Sequence, residues 1–143
     1  MLLLDANLLI YAYHAESQEY AAAKAWVESA FSGAEAVGLP WQTILAFLRI
    51  TTHQRIFERP LSISKAQSIA ASWLERPQVH PVEAGANFFD LLSGLLRSAQ
   101  IRGALVSDAA IAALAIEHGA TLCTTDRNFA RFPGLKWMNP LQL

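Results

Sequence analysis

The sequence predicts an α/β fold in which helices cover both faces of a central parallel sheet. Short apolar runs alternate with longer segments whose apolar residues recur at helical spacing, and this alternation is typical of parallel sheets with helical crossovers. The first run, Met1–Leu4, is apolar throughout, as a strand buried on both faces requires. The chain has 143 residues, 53% of them hydrophobic, which is enough for one proper core. We therefore expect a single domain over residues 1–143, built as a three-layer sandwich.

The first half of the chain predicts two strands and two helices. After Met1–Leu4, an alanine-rich helix is expected over Ser17–Phe31. Residues 36–39 predict the second strand, and Pro40 suits the first turn of the helix that follows. That helix is expected from Trp41 to about Thr52.

The two sides of this second helix differ in composition. Its spacing predicts a buried side made of Trp41, Ile44, Leu45, Leu48 and Thr52. The opposite side carries Gln42, Ala46 and Arg49.

Four further elements are predicted on either side of residues 106–129. They are a short helix from Ser64 to about Glu75, a strand at Val79–Val82, a helix over 86–99 and a short strand at 136–138. Ser64 and Gln67 resemble a capping box at the start of the short helix. Pro81 weakens its strand to an edge strand or a short piece.

The stretch VSDAAIAALAIEHGATLCTTDRNF, residues 106–129, predicts a helix followed by a strand. The helix is expected to begin near Asp108, with Ser107 or Asp108 as its cap, because a side-chain oxygen can accept an unpaired backbone N–H there. Gly119 is the residue type expected just past a helix end. The strand is expected over residues 121–125 and runs out at Asp126.

Three carboxylates are predicted to meet at one edge of the sheet. Asp5 and Asp126 each follow a predicted strand, and ligands of open parallel sheets bind outside the carboxyl ends of the strands. Asp108, at a helix entrance, would point into the same crevice if the two strands are neighbours. Clustered carboxylate oxygens are suited to a hard cation such as Mg²⁺.

Composition and charge exclude several classes of protein. The net charge of −1 gives no global signature of a nucleic-acid binder, so any basic surface must be local. The single cysteine, Cys123, excludes an internal disulfide and a cysteine-based zinc site, and a buried structural role is expected for it. The N-terminal apolar run is too short to span a bilayer and has no basic leader, so we expect a cytoplasmic protein. The high apolar share favours a homo-oligomer, most simply a two-fold dimer.

Four segments together resemble a known family. The segments are LLLDANLLIY, LPWQTILAFLRITTHQRIFERPLS, SDAAIAALAIEHGATLCTTDRNF and RFPGLKWMNPL. In this order and spacing they resemble the PIN domain of the VapC type, the ribonuclease toxins of bacterial toxin–antitoxin pairs. The resemblance implies a Rossmann-like sheet, a homodimer, and cleavage of RNA phosphodiester bonds that depends on Mg²⁺ or Mn²⁺. It also implies inhibition by a small VapB-like antitoxin encoded beside the toxin.

Within this resemblance, Asp5, Asp108 and Asp126 are the predicted catalytic and metal-binding residues. Asp5 and Asp108 are expected to coordinate directly, and Asp126 to be a ligand or to position a water. The Thr125 hydroxyl and the Asn7 amide are expected to hold these carboxylates by hydrogen bonds. Arginines at 49, 55, 59, 127 and 131 would suit phosphate contacts, although a solvated face is an equal alternative.

The sequence departs from the family pattern at one acid. Most members carry a further acid, usually Glu, on the helix after the second strand, whereas this chain has no acid from Leu39 to Arg55. Gln42 could lend a carbonyl oxygen, and Asp90 could substitute only if its helix face turns toward the crevice. We expect weaker metal binding than at a site with four acids.

Two other functions fit parts of the pattern. A silent PIN domain that only binds RNA or protein is compatible with the missing acid. A phosphatase with an aspartate nucleophile would usually have a second acid at position 7 and a lysine near the site, but position 7 is Asn and the lysines are Lys24, Lys65 and Lys136.

Overall fold

The computed structural model describes residues 1–142 and confirms the α/β architecture. A sheet of five parallel strands has the order β3-β2-β1-β4-β5. The strands are β1 (Leu2–Leu4), β2 (Val37–Pro40), β3 (Val79–Val82), β4 (Thr121–Cys123) and β5 (Trp137–Met138). As predicted from Pro81, β3 lies at an edge of the sheet.

Six α-helices connect the strands and cover both faces of the sheet. They are α1 (Ala6–Ala12), α2 (Tyr20–Ser32), α3 (Trp41–Thr51), α4 (Ile63–Leu74), α5 (Phe88–Ser98) and α6 (Leu105–Glu117), and a 3₁₀ helix follows at Arg127–Arg131. One core packs α1 to α4 on one face around Phe47 and Trp73, whose rings are 4.6 Å apart in an edge contact. The other core packs α5 and α6 on the opposite face. The predicted three layers are therefore present.

Helix α6 is more deeply buried than a helix with a single apolar face. Its buried residues are Ala109, Ile111, Ala112, Ala113, Leu114 and Ala115. The alanines allow the backbone to come close to the sheet and to α5, because they add little side-chain volume. Gly119 follows the helix with φ +62, in the left-handed region expected of a glycine there.

The predicted buried side of α3 was correct at Ile44 and wrong at Trp41 and Leu45. Its buried residues are Thr43, Ile44, Phe47 and Thr51, whereas Leu45 is 61% exposed and Trp41 is 41% exposed. The two threonines can be buried because their hydroxyls are satisfied: Thr43 donates to the Leu4 carbonyl at 2.8 Å and Thr51 donates to the Phe47 carbonyl at 2.6 Å. A ranking by hydrophobicity alone misses such positions.

Several predicted boundaries also differ. Helix α4 is capped by Ser62, whose hydroxyl accepts from the Lys65 N–H at 3.1 Å, and not by Ser64. Helix α6 begins at Leu105, so Asp108 lies in its first turn and neither it nor Ser107 is the cap. Strand β4 ends at Cys123, and the chain beyond it turns toward the 3₁₀ helix.

The buried cysteine agrees with the sequence analysis, and the lengths of the helices bear on whether one of them could span a membrane. Cys123 is buried, and burial raises the pKa of its thiol to about 12, which suits the inert structural role expected from the sequence. Within residues 1–142, no helix combines the length and the apolar character needed to cross a bilayer.

The packing between β2 and β3 leaves no room for a side chain at Gly38. A Cβ there would lie 2.7 Å from Val82 Cγ2, and the buried, β-branched Val82 has little freedom to move. We expect Gly38→Ala to lower the free energy of unfolding by about 1–3 kcal/mol through overpacking. Denaturant unfolding followed by circular dichroism measures this change.

Gly94 in α5 provides the matched control, because a Cβ there meets nothing within 4 Å. Gly94→Ala should raise stability by about 0.5–1 kcal/mol, the usual gain of alanine over glycine in a helix. Equal effects of the two substitutions would contradict the close packing at Gly38.

Candidate active site

Asp5 leaves the carboxyl end of β1 and lies directly beside the end of β4. Its backbone N–H donates to the Cys123 carbonyl at 3.0 Å, which continues the parallel pairing of the two strands. Its side chain caps α1, because Oδ1 accepts from the Ala6 N–H at 2.8 Å. Oδ2 accepts a second bond, from the Thr124 hydroxyl, at 2.8 Å. The orientation of this carboxylate is therefore set by two donors.

Thr124 joins three parts of the site through one hydroxyl. This fully buried residue donates to Asp5, and its oxygen accepts from Asn7 Nδ2 at 3.2 Å and from the Asp126 N–H at 3.1 Å. The prediction that Thr125 plays this part was wrong. Successive residues of an extended segment point to opposite sides, so only one of two adjacent threonines can face Asp5.

Asn7 supports this arrangement through Thr124 and makes no direct hydrogen bond to a carboxylate of the described residues. Its Oδ1 is buried and has no hydrogen-bond partner among residues 1–142. A buried acceptor of this kind is costly unless a water or a ligand group satisfies it. The site therefore holds one acceptor for which the described chain supplies no donor.

Asp5 and Asp108 line the same cavity, which has a volume of ≈ 310 Å³. Residues from α3 and from the start of α6 form the walls. The remaining lining residues are Ala6, Gln42, Thr43, Leu45, Ala46, Arg49, Ser107 and Ile111. Residues near the start and in the last third of the chain are thus brought together, as the sequence predicted for Asp5 and Asp108.

Asp126 lies close enough to influence both other acids but is not part of the cavity wall. It caps the 3₁₀ helix, and its Oδ1 accepts from the Asn128 N–H at 2.8 Å. Asp90 lines a separate cavity together with Leu91, Gly94 and Pro133, so it does not replace the missing acid of α3.

Burial and the charges of neighbouring acids make the carboxylates of Asp5 and Asp108 harder to ionise. The pKa of Asp5 is raised, first by burial and then by the charge of Asp126, although the bonds from Thr124 and Ala6 act in the opposite direction. The pKa of Asp108 is also raised, first by burial and then by the charges of Asp126 and Asp5, while Arg131 opposes this shift. The three acids therefore form one electrostatic group.

The donor set suits a hard cation that is only partly ligated by protein. Among residues 1–142, no group of three or more His, Cys, Asp or Glu side chains is placed so that it could hold an ion by itself. Mg²⁺ is commonly held by one or two carboxylates, with waters and substrate phosphates as its other ligands. Asp5 and Asp108, as carboxylates on one cavity, fit this arrangement.

Two residues that matter to this geometry were not singled out by the sequence. Thr124 could have been found by counting alternate positions outward from the buried Cys123. Thr43, which bonds the last carbonyl of β1 and also lines the cavity, gave no signal, because a threonine on a helix reads as a surface residue.

Comparison with known proteins agrees with the fold. The sequence matches the PIN domain family over residues 2–135. Ribonuclease VapC37 of Mycobacterium tuberculosis is 37% identical over 140 residues, which cover 98% of this chain and 97% of that protein. Ribonuclease VapC33 of the same species is 34% identical over 142 residues, which cover 99% of each chain.

Solved structures show the same fold at low sequence identity. The VapBC2 complex from Rickettsia felis, bound to a DNA fragment from its promoter, aligns with a TM-score of 0.68 and 19% identity over 96% of this chain and 97% of that chain. VapC20 of Mycobacterium tuberculosis, a toxin that cleaves the sarcin–ricin loop, aligns with a TM-score of 0.67 and 15% identity over 95% of this chain and 99% of that chain. By its family match and its sequence identities, the chain belongs to the PIN-domain family and, within it, to the VapC ribonucleases.

Proposed function

We propose that this protein is an endoribonuclease toxin that hydrolyses RNA phosphodiester bonds with the help of Mg²⁺ or Mn²⁺. The observation that carries the proposal is the shared cavity of Asp5 and Asp108, at the carboxyl edge of the sheet, in a chain 37% identical to a VapC ribonuclease. Asp5, Asp108 and Asp126 are the proposed catalytic residues.

Asp5 and Asp108 are proposed to hold the ion. When bound, such an ion activates a water and neutralises the charge that develops on the phosphoryl oxygens. The oxygen donors of the cavity and the unsatisfied Asn7 Oδ1 nearby support this assignment. The raised pKa values of Asp5 and Asp108 point the same way, because a cation relieves the repulsion among buried carboxylates.

The chain's own residues orient the reacting groups. Thr124 and the Ala6 N–H fix both oxygens of Asp5, so its carboxylate does not have to reorganise when substrate arrives. Asp126, whose charge acts on both Asp5 and Asp108, is proposed to orient the attacking water. Its position is set by its own cap on the 3₁₀ helix and by its backbone bond to Thr124.

The proposal also includes protein partners. VapBC complexes are among the structures that share this fold, which supports a VapB-like antitoxin as the inhibitor. A homodimer is proposed because large apolar side chains remain exposed, among them Leu45, Ile63 and Phe89. The cytoplasm, where RNA and antitoxin are found, is the proposed location.

A second candidate is a PIN domain that binds RNA without cutting it. The observation that favours it is the absence of an acid on α3, where Gln42 and Ala46 line the cavity instead. The first experiment below separates the two.

Asp5→Asn should reduce RNA cleavage by at least about a hundredfold, because the site loses a fixed negative charge at the proposed ion. The measurement is the rate of cleavage of total RNA in Mg²⁺ or Mn²⁺ by purified protein. Asp90→Asn, at an aspartate outside the cavity, should cut like the parent protein. A parent protein that binds RNA but never cuts it would favour the second candidate.

Gln42→Glu should tighten Mn²⁺ binding by roughly tenfold, because residue 42 lines the same cavity as Asp5 and Asp108 and the substitution adds a carboxylate there. Ala46→Glu tests the other position where the family acid could stand. Isothermal titration calorimetry measures the affinity, and Gln54→Glu makes the same chemical change on an exposed residue away from the cavity. Unchanged affinity in both cavity variants would refute the idea that the missing acid weakens the site.

Thr124→Val should weaken Mn²⁺ binding by about 10–100-fold, the usual effect of removing a group that orients a metal ligand. It should also lower the free energy of unfolding by about 1–3 kcal/mol, because buried partners lose their bond. Thr124→Ser keeps the hydroxyl and should retain most of the affinity. Thr125→Val is the neighbouring control; an effect on affinity as large as that of Thr124→Val would contradict the geometry.

A further inference from the structure

One basic side chain lines the cavity that contains the acids. Gln42, Leu45, Ala46 and Arg49 follow one another at helical spacing along α3, and all four line the cavity together with Asp5, which follows β1, and Asp108 of α6. Helix α3 therefore presents a guanidinium, and no carboxylate, to the space that Asp5 and Asp108 share.

The charge of Arg49 is not taken up by another residue of the described chain. The ion pair found within residues 1–142 joins the Met1 amino group to Glu35, and no carboxylate of these residues lies within 4.0 Å of Arg49. Arg131, the cation that acts on Asp108, donates its Nε to the Asn128 carbonyl instead and does not line the cavity. Arg49 thus remains available to an anion that enters the cavity.

A purely structural role for Arg49 has to be weighed against this. Arg49 lies in the last turn of α3, where a positive charge is favourable beside the unpaired carbonyls of a helix end. Arg97 lies in the last turn of α5 and is also exposed, but it does not line this cavity. A role that depends only on the helix end would apply equally to Arg49 and Arg97.

We propose that Arg49 binds a backbone phosphate of the RNA next to the phosphate that is cleaved. A guanidinium matches two phosphate oxygens at once through paired N–H donors, which a single carboxamide at the same position cannot do. Contacts of this kind fix the register of a nucleic acid without reading its sequence. The inference rests on the proposed function, because it takes the Asp5 and Asp108 side of the cavity as the place of the scissile phosphate.

The first test measures binding without cleavage. The Asp5→Asn protein is titrated into an end-labelled single-stranded RNA of mixed sequence, and fluorescence anisotropy gives the affinity. Adding Arg49→Gln should weaken binding roughly tenfold, the equivalent of one hydrogen-bonded charge contact. The slope of log affinity against log salt should also become shallower by about 0.7, the share of one phosphate on a single strand. Arg97→Gln in the same background should change neither quantity.

The second test separates positioning of RNA from stability. In the otherwise unchanged protein, Arg49→Gln should raise KM for RNA with little change in kcat, because the contact is made in both the ground state and the transition state. Arg49→Lys keeps the charge but loses the paired donors. Its KM for RNA should lie between those of the parent protein and Arg49→Gln. Arg49→Gln and Arg97→Gln should shift Tm equally, because both arginines lie in the last turn of a helix. An RNA effect confined to Arg49→Gln is then not an effect of stability.

Three results would overturn the assignment. They are an RNA affinity that Arg49→Gln leaves unchanged, a salt slope equal to that of the parent, and an equal loss of affinity in Arg97→Gln. Failure of the proposed function gives a different result. If the parent protein did not cut RNA, the anisotropy titration would still show whether Arg49→Gln weakens RNA binding.

Discussion

The parallel pairing of β1 with β4 is the contact on which the site depends. Leu4 pairs with Cys123, and the next residue along, Asp5, continues the ladder with its N–H on the Cys123 carbonyl. This register places Asp5 beside Thr124 and carries the chain on to Asp126. A shift of one residue would turn the side chains of β1 to opposite faces. It would also move the Asp5 carboxylate out of reach of the Thr124 hydroxyl.

The same pairing brings like charges together, and the fold contains groups that offset the cost. Asp5 is poorly hydrated and feels Asp126, yet it accepts bonds from a hydroxyl and from a backbone N–H. Thr124 uses its hydroxyl as one donor and as a double acceptor, so it connects both strand ends and α1. Partly buried acids with raised pKa values are expected where a protein binds a cation or carries out proton transfer. The apolar cores on both sides of the sheet stabilise the fold and offset the free-energy cost of placing these carboxylates close together.

Helix α3 forms a wall of the cavity that carries no acid. Its buried side is built from Phe47, Ile44 and two threonines whose hydroxyls bond backbone carbonyls. Because that side faces the core, the side with Gln42, Ala46 and Arg49 faces the cavity. The wall opposite the carboxylates is therefore neutral and basic, and this distinguishes the site from one with four acids. The ion that we propose and the RNA phosphate that we propose for Arg49 would thus contact different walls of one cavity.

The sequence alone determined the order of the five strands and of helices α2 to α6 along the chain, the edge position of β3, the buried cysteine and the meeting of Asp5 with Asp108, but it did not predict helix α1. These follow from local rules: apolar runs form buried strands, glycine ends helices, and the carboxyl ends of parallel strands meet at one edge. Only the tertiary structure decided which threonine holds Asp5, which face of α3 is buried and that Asp90 belongs to another cavity. These depend on which donor finds which acceptor across segments far apart in the chain. Hydrophobicity and spacing carry no information about such pairings, because a threonine is equally suited to solvent and to a buried carbonyl.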